Sequence, residues 1–149
     1  MRSYSLPSFS LLLALAVAII LACGSPMSSV TQNCSSNPTV TNPGAPQTVM
    51  LCPAAADAQD YPDGQVQFIA IGAYNTQPSP AQPKPVMWGA CQQNQSTTGV
   101  TVSNTGVAQC ASGASGTYTV WATGGPISCN LISPCGACGP TGSAKLTCP

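Results

Sequence analysis

The chain is expected to fold as an all-β sandwich, and three observations lead there. The stretch Val100 to Ala122, VTVSNTGVAQCASGASGTYTVWA, holds three short β-branched or aromatic runs separated by Ser/Asn/Gly clusters. Such runs suit a pleated, half-buried surface, and their short spacing suits a two-sheet sandwich. The 149 residues include 15 Pro and 14 Gly, which disfavour long helices and favour turns. Nine are Cys, and small exported domains rely on disulfides because they bury too little apolar surface to be stable without them.

From the amino terminus, Arg2 precedes an uninterrupted apolar run, Leu11 to Ala22. It is shorter than the ~20 residues a spanning helix needs and has the length of a secretory h-region. Gly24 to Pro46 is rich in Ser, Thr, Asn, Pro and Gly and reads as a tether, although its end near Cys34 could instead form an irregular first strand. Thr48–Cys52 is a plausible strand. Tyr61-Pro62-Asp63-Gly64 is a turn signal, since Pro presets φ and Gly accepts a left-handed conformation. Gln65 to Tyr74 follows as a strand, with Val66, Phe68, Ala70 and Tyr74 on one face and Ile69 and Ile71 opposite. Asn75 to Pro85, with four prolines, is a loop. Val86 and Trp88 share one face of the next strand, which ends at Cys91. In the stretch named first, Val100 and Val102 share a face, as do Ala108 and Cys110, and then Tyr118, Val120 and Ala122. Ala144, Leu146 and Cys148 alternate with polar residues in a last strand that could pair with Thr117–Ala122.

Composition excludes several function classes. Charged residues are 4% of the chain: Arg2, Lys84 and Lys145 against Asp57, Asp60 and Asp63, with no His. Nucleic-acid binding needs clustered Lys/Arg, so no nucleic-acid partner is expected. Without His there is no Ser-His-Asp or Cys-His arrangement, and no phosphate-binding glycine loop is present. The three Asp lack the spacing of a calcium loop and read as a solvated turn. The chain is therefore expected not to be an enzyme, with no catalytic residues, no cofactor and no metal.

Two residue sets retain chemical interest. Cys135-Gly136-Ala137-Cys138 is a C-x-x-C pair, which with Cys129 and Cys148 could make a redox or zinc site. No helical pattern surrounds it, so structural disulfides are the preferred reading. The pairings expected are Cys34–Cys52 and Cys91–Cys110, with Cys129, Cys135, Cys138 and Cys148 pairing among themselves. Trp121 alternates out of phase with Tyr118 and Val120, so it faces outward as a candidate stacking platform for a glycan; Trp88 is expected in the core.

Two resemblances add to this reading. The junction Ile20-Leu21-Ala22-Cys23 resembles a bacterial lipobox, with Ile20 and Ala22 at the matching positions and Leu21 a less usual one. It implies cleavage before Cys23, acylation of Cys23 and a membrane partner through the lipid anchor. The alternative is an ordinary signal peptide cut after Gly24, giving a secreted protein. Either way eight cysteines remain for up to four bridges. The order VQFIAIGAY, a Pro-rich loop, V-x-W, VTVS-N-x-G and G-T-Y-T-V, spanning Thr48 to Thr123, resembles group 2 bacterial immunoglobulin-like domains. That resemblance implies an Ig-like sandwich on a bacterial surface protein, often an adhesion or spacer module, with no shared catalytic residues. The chain departs from it in its cysteines and in continuing past the expected last strand.

The expected organisation is a lipoprotein-type signal peptide over 1–22, a Ser/Pro-rich tether over 23–46, an Ig-like sandwich over 47–123, and a disulfide-stapled cysteine-rich extension with a final strand over 124–149. The expected function is that of a non-enzymatic, envelope-anchored structural or adhesion module with a protein or glycan ligand. The alternatives are a secreted cysteine-rich metal-binding or thiol-disulfide protein, and a carbohydrate-binding module.

Overall fold

Alternation of apolar and polar side chains sets the strands of this protein. Its computed structural model describes residues 34–124, 135 and 139–149. The strands are β1 (Thr39–Thr41), β2 (Thr48–Cys52), β3 (Ala55–Asp57), β4 (Gln65–Gln67), β5 (Ile69–Ala73), β6 (Gln82–Lys84), β7 (Val86–Gln92), β8 (Gln95–Ser96), β9 (Val100–Val102), β10 (Val107–Cys110), β11 (Gly116–Gly124) and β12 (Thr141–Cys148). The fold is all-β. One layer holds β2–β5 and β4–β10–β9, joined where β4 runs through Phe68 into β5; the other holds β3–β12–β11–β7–β8. This is the strand order of an immunoglobulin-type sandwich. β3 completes it by leaving the first layer to lie parallel to β12, with Leu146 opposite Ala56.

Every strand anticipated from the sequence is present. The last one pairs antiparallel with β11 along its whole length, Tyr118 opposite Leu146 and Val120 opposite Ala144. It is flanked on its other side by β3, so the C-terminal segment supplies an interior strand of the five-stranded sheet. The core lies between the layers. Val49, Leu51, Val66, Phe68, Ala70, Val100 and Ala108 from one meet Tyr118, Val120, Ala122, Ala144, Leu146 and Cys148 from the other. The face predicted for Val66, Phe68, Ala70 and Tyr74 is buried throughout, and Ile71 on the opposite face is buried as well.

The short strands β3, β6 and β8 were not anticipated, and β1 lies where the end of the expected tether had an irregular strand as its alternative. From Cys34 onward the chain is held to the body. β1 pairs in parallel with β6, Val40 opposite Pro83. Asn42 N donates to Lys84 O at 2.7 Å and Gln47 N to Ala73 O at 2.8 Å. The Pro-rich loop thus has a structural use, because its end forms β6. That strand touches β5 through one bridge, Gly72 with Ala81. Continuing the register sets Ala70 opposite Pro83, which has no N–H to give, so a two-bonded pairing stops there.

Turn chemistry follows local sequence. Asp63 and Gly64 take φ of 56° and 65° in the turn before β4. Between β9 and β10, the Ser103 hydroxyl accepts from Thr105 N and Val107 N, and Gly106 N donates to Ser103 O at 3.0 Å. Gly106 has φ of 85°, and its carbonyl accepts from Phe68 N at 2.9 Å. A Cβ there would strike the Phe68 carbonyl oxygen and come within 2.7 Å of Trp88 Cζ2. Gly113, with φ of 78°, has nothing near its Cβ position. Both sites carry the left-handed backbone cost for a non-glycine residue, about 1–2 kcal/mol, but only Gly106 adds a collision, about 1–3 kcal/mol more. Gly106→Ala should therefore lower stability by roughly 2–5 kcal/mol and Gly113→Ala by roughly 1–2 kcal/mol, read by chemical denaturation. Equal losses would refute the close contact.

Tyr74 is buried, and its hydroxyl has no hydrogen-bond partner among the described residues. Its ring lies over Gly72, where a Cβ would come within 2.6 Å of Tyr74 Oη. Burial raises the phenol's pKa above the ordinary tyrosine value. The folded state then keeps a proton that the unfolded state releases. Stability from this group is full below the unfolded pKa of about 10 and declines as pH rises through the folded value. Tyr74→Phe removes an unpaired polar atom, so it should leave neutral-pH stability equal or up to about 1 kcal/mol higher. Its unfolding midpoint should also fall less than wild type's between pH 9.5 and 11.5.

Candidate functional site

The three disulfides follow from which way each strand residue faces. Cys34 and Cys52 bond as expected, with Cα atoms 5.6 Å apart, fastening the chain entering the domain to the end of β2. Cys110 packs against the core beside buried Ala108, and Cys148 is buried in line with Ala144 and Leu146. They bond across the two layers at a Cα separation of 5.9 Å. Cys91 sits opposite Thr119 in the β7–β11 register, one residue on from Ala90, which packs against the core. It points to the outer face, away from Cys110, and bonds Cys135 at a Cα separation of 5.6 Å.

The expected Cys91–Cys110 bridge is thus overturned, because the two side chains leave their strands on opposite faces. The expectation that Cys129, Cys135, Cys138 and Cys148 pair among themselves fails at Cys135 and Cys148, whose partners are Cys91 and Cys110. The same two bonds remove two thiolates from the zinc or redox set. Cys129, Cys138 and the lipidation candidate Cys23 lie outside the described residues, as do 1–33 of the leader and tether.

Trp121 lies on the outer face of the five-stranded sheet, opposite Ser143 on β12 and Gly89 on β7. It is half-buried rather than freely exposed. The reason is local: a Cβ at Gly89 would collide with indole atoms Cζ2 and Cε2, so the ring lies over the glycine. Two residues either side of it on the same strand, Thr119 lies opposite Lys145 and Thr123 opposite Thr141. Trp88, expected in the core, packs against the core cluster and is half-buried.

The aspartates have local roles. Asp57 Oδ1 accepts from Gln59 N at 3.0 Å and caps a single helical turn, while Asp63 sits in the turn before β4. Among the described residues, no group of three His, Cys, Asp or Glu side chains is placed to hold a metal ion. Sequence reasoning passed over Gln67, Gln82 and Asn104, which with Trp88 line a groove of about 550 Å³. Amides scattered over short strands and a turn form no motif, so only the fold collects them.

Disulfides mark an oxidising, extracytoplasmic environment. Among the described residues no helix is long and apolar enough to cross a membrane. The bridges close spans of 18, 44 and 38 residues, each contributing about 3–4 kcal/mol by loop-closure entropy. Peptide mapping of the oxidised protein should recover Cys34–Cys52, Cys91–Cys135 and Cys110–Cys148, with Cys129 and Cys138 left as the fourth pair and no free thiol. Pepsin suits the digest, since past the leader the chain has only Lys84 and Lys145 for trypsin. A Cys135–Cys138 peptide would contradict this arrangement.

No protein-family model matches the chain, and no curated protein matches it.

Proposed function

We propose that the mature protein is a non-enzymatic binding or structural module held at the bacterial envelope by lipid on Cys23. The observation that carries the reading is the immunoglobulin-type strand order closed across its layers by Cys110–Cys148. Such a body suits an oxidising compartment and presents loops and sheet faces to partners. The lipobox-like Ile20-Leu21-Ala22-Cys23 supplies the anchor, and the resemblance to group 2 bacterial immunoglobulin-like domains supports an adhesion or spacer role. The absence of His from the whole chain argues against hydrolytic triads. The metal-binding and thiol-disulfide alternatives lose ground because Cys135 and Cys148 are already bonded to residues outside their set.

Mass spectrometry of the protein expressed with its own leader in a lipoprotein-processing bacterium tests the anchor. The expected product begins at Cys23, carries a diacylglyceryl thioether with an acylated amino terminus, and partitions with membranes. Cys23→Ser should abolish both lipid and membrane partition. An unmodified product beginning at Ser25 would replace the anchored reading with the secreted one.

A further inference from the structure

We infer that the groove floored by Trp88 is a binding site for a short neutral oligosaccharide, an inference that rests on reading the chain as a binding module. The groove holds about 550 Å³, within the roughly 300–1,000 Å³ of ligand sites. It lies where the β9–β10 turn, the β4–β5 junction and the start of β7 meet. Four features define what it accepts.

The first is charge. Lys84 is the one ionisable side chain in the lining, and no acid faces it. A polyanion would find a single cation, and a cation would find no partner. The second is a set of oriented amides. Gln67 Nε2 donates to Phe68 O at 2.7 Å and to Thr105 O at 2.8 Å. Two carbonyl oxygens identify that atom as the nitrogen and leave Oε1 as an acceptor without a partner among the described residues. Gln82 Nε2 is likewise held by Asn37 O at 3.0 Å. With these bonds in place, both amides are held before a ligand arrives, which lowers the ordering cost of binding.

The third feature is an apolar floor. Trp88 is held against Gly106, and Pro83 and Pro85 line the groove with it. The C–H face of a pyranose can lie on such a surface while its hydroxyls donate to the Gln oxygens. The fourth is a further pair of donors, Asn104 and Lys84, both exposed in the lining. A ligand with an apolar face and a ring of hydroxyls that both donate and accept satisfies all four.

The chain has only two tryptophans, so fluorescence can tell the groove from the outer face. Trp121→Phe leaves Trp88 as the sole indole reporter. Titrating the full mature protein with cellotetraose and with chitotetraose should give a saturable emission change that survives in Trp121→Phe. Gln82→Ala and Asn104→Ala should each raise Kd about tenfold or more. Amide shift mapping by NMR on the wild type gives a readout independent of any variant's folding, with the largest shifts expected at Gln67, Gln82 and Asn104. Loss of the response in a folded Trp121→Phe, or shifts centred on Thr119 and Ser143, would move the site to the outer face and overturn the groove. So would a proline-rich peptide binding there while both sugars fail, or no saturable response to either sugar. The lipid on Cys23 is read separately by mass, so a failed titration leaves the anchoring result intact.

Discussion

The covalent link between the two sheets, Cys110–Cys148, is the constraint on which the rest of this structure depends. The reason lies in the core. Five of its fourteen buried residues are alanines, Ala58, Ala70, Ala108, Ala122 and Ala144, and its largest fully buried side chains are Phe68 and Leu146. Hydrophobic stabilisation scales with apolar area, at about 25 cal/mol per Å². A core of small side chains gains little from each residue it buries. Charge does not compensate, since the whole chain carries three cations and three anions. Restricting the unfolded chain is the remaining large lever, and the bridge between β10 and β12 applies it where the two layers must meet.

Small side chains also let aromatic rings take up space that ordinary Cβ atoms would fill. Tyr74 lies over Gly72, Trp121 over Gly89, Tyr118 over Gly99 and Trp88 against Gly106. Each glycine weakens its own segment through lost packing and greater unfolded-state freedom. Each ring recovers part of that loss by covering the exposed backbone. A second effect bears on recognition. An indole seated on a glycine has few alternative rotamers, so Trp88 and Trp121 present fixed surfaces.

Strand placement was readable because period-two alternation over Val66–Tyr74, Tyr118–Ala122 and Ala144–Cys148 is strong and bounded by turn residues. The same parity also decides which cysteines can meet. Val86 and Trp88 face inward, so Cys91 faces outward and cannot reach Cys110, which faces inward with Ala108. Cys148, in phase with Leu146, was the partner that parity allowed. The short strands were not readable for a different reason. β3 and β6 span three residues each, too few for alternation, and they exist through pairing with distant segments, whereas the two-residue β8 closes a tight hairpin on β7. The parallel contact of β1 with β6 is set by tertiary register, which no local composition records. The amides of the groove belong to the same class, since Gln67 and Gln82, from separate sheets, come to line one groove only in the folded chain.

Scarcity of charge shapes how such a surface can select a ligand. Long-range steering needs a field, and three charges of each sign supply little of one. Selection must then come at contact range, from hydrogen-bond direction and from shape. Both require groups that do not move on binding. The fold provides them by committing amide nitrogens to backbone carbonyls and rings to glycines, so that what stays free is already oriented. Binding of this kind should be nearly independent of salt, because no counterions are released and no ion pair is screened. That property separates a contact-range site from an electrostatic one.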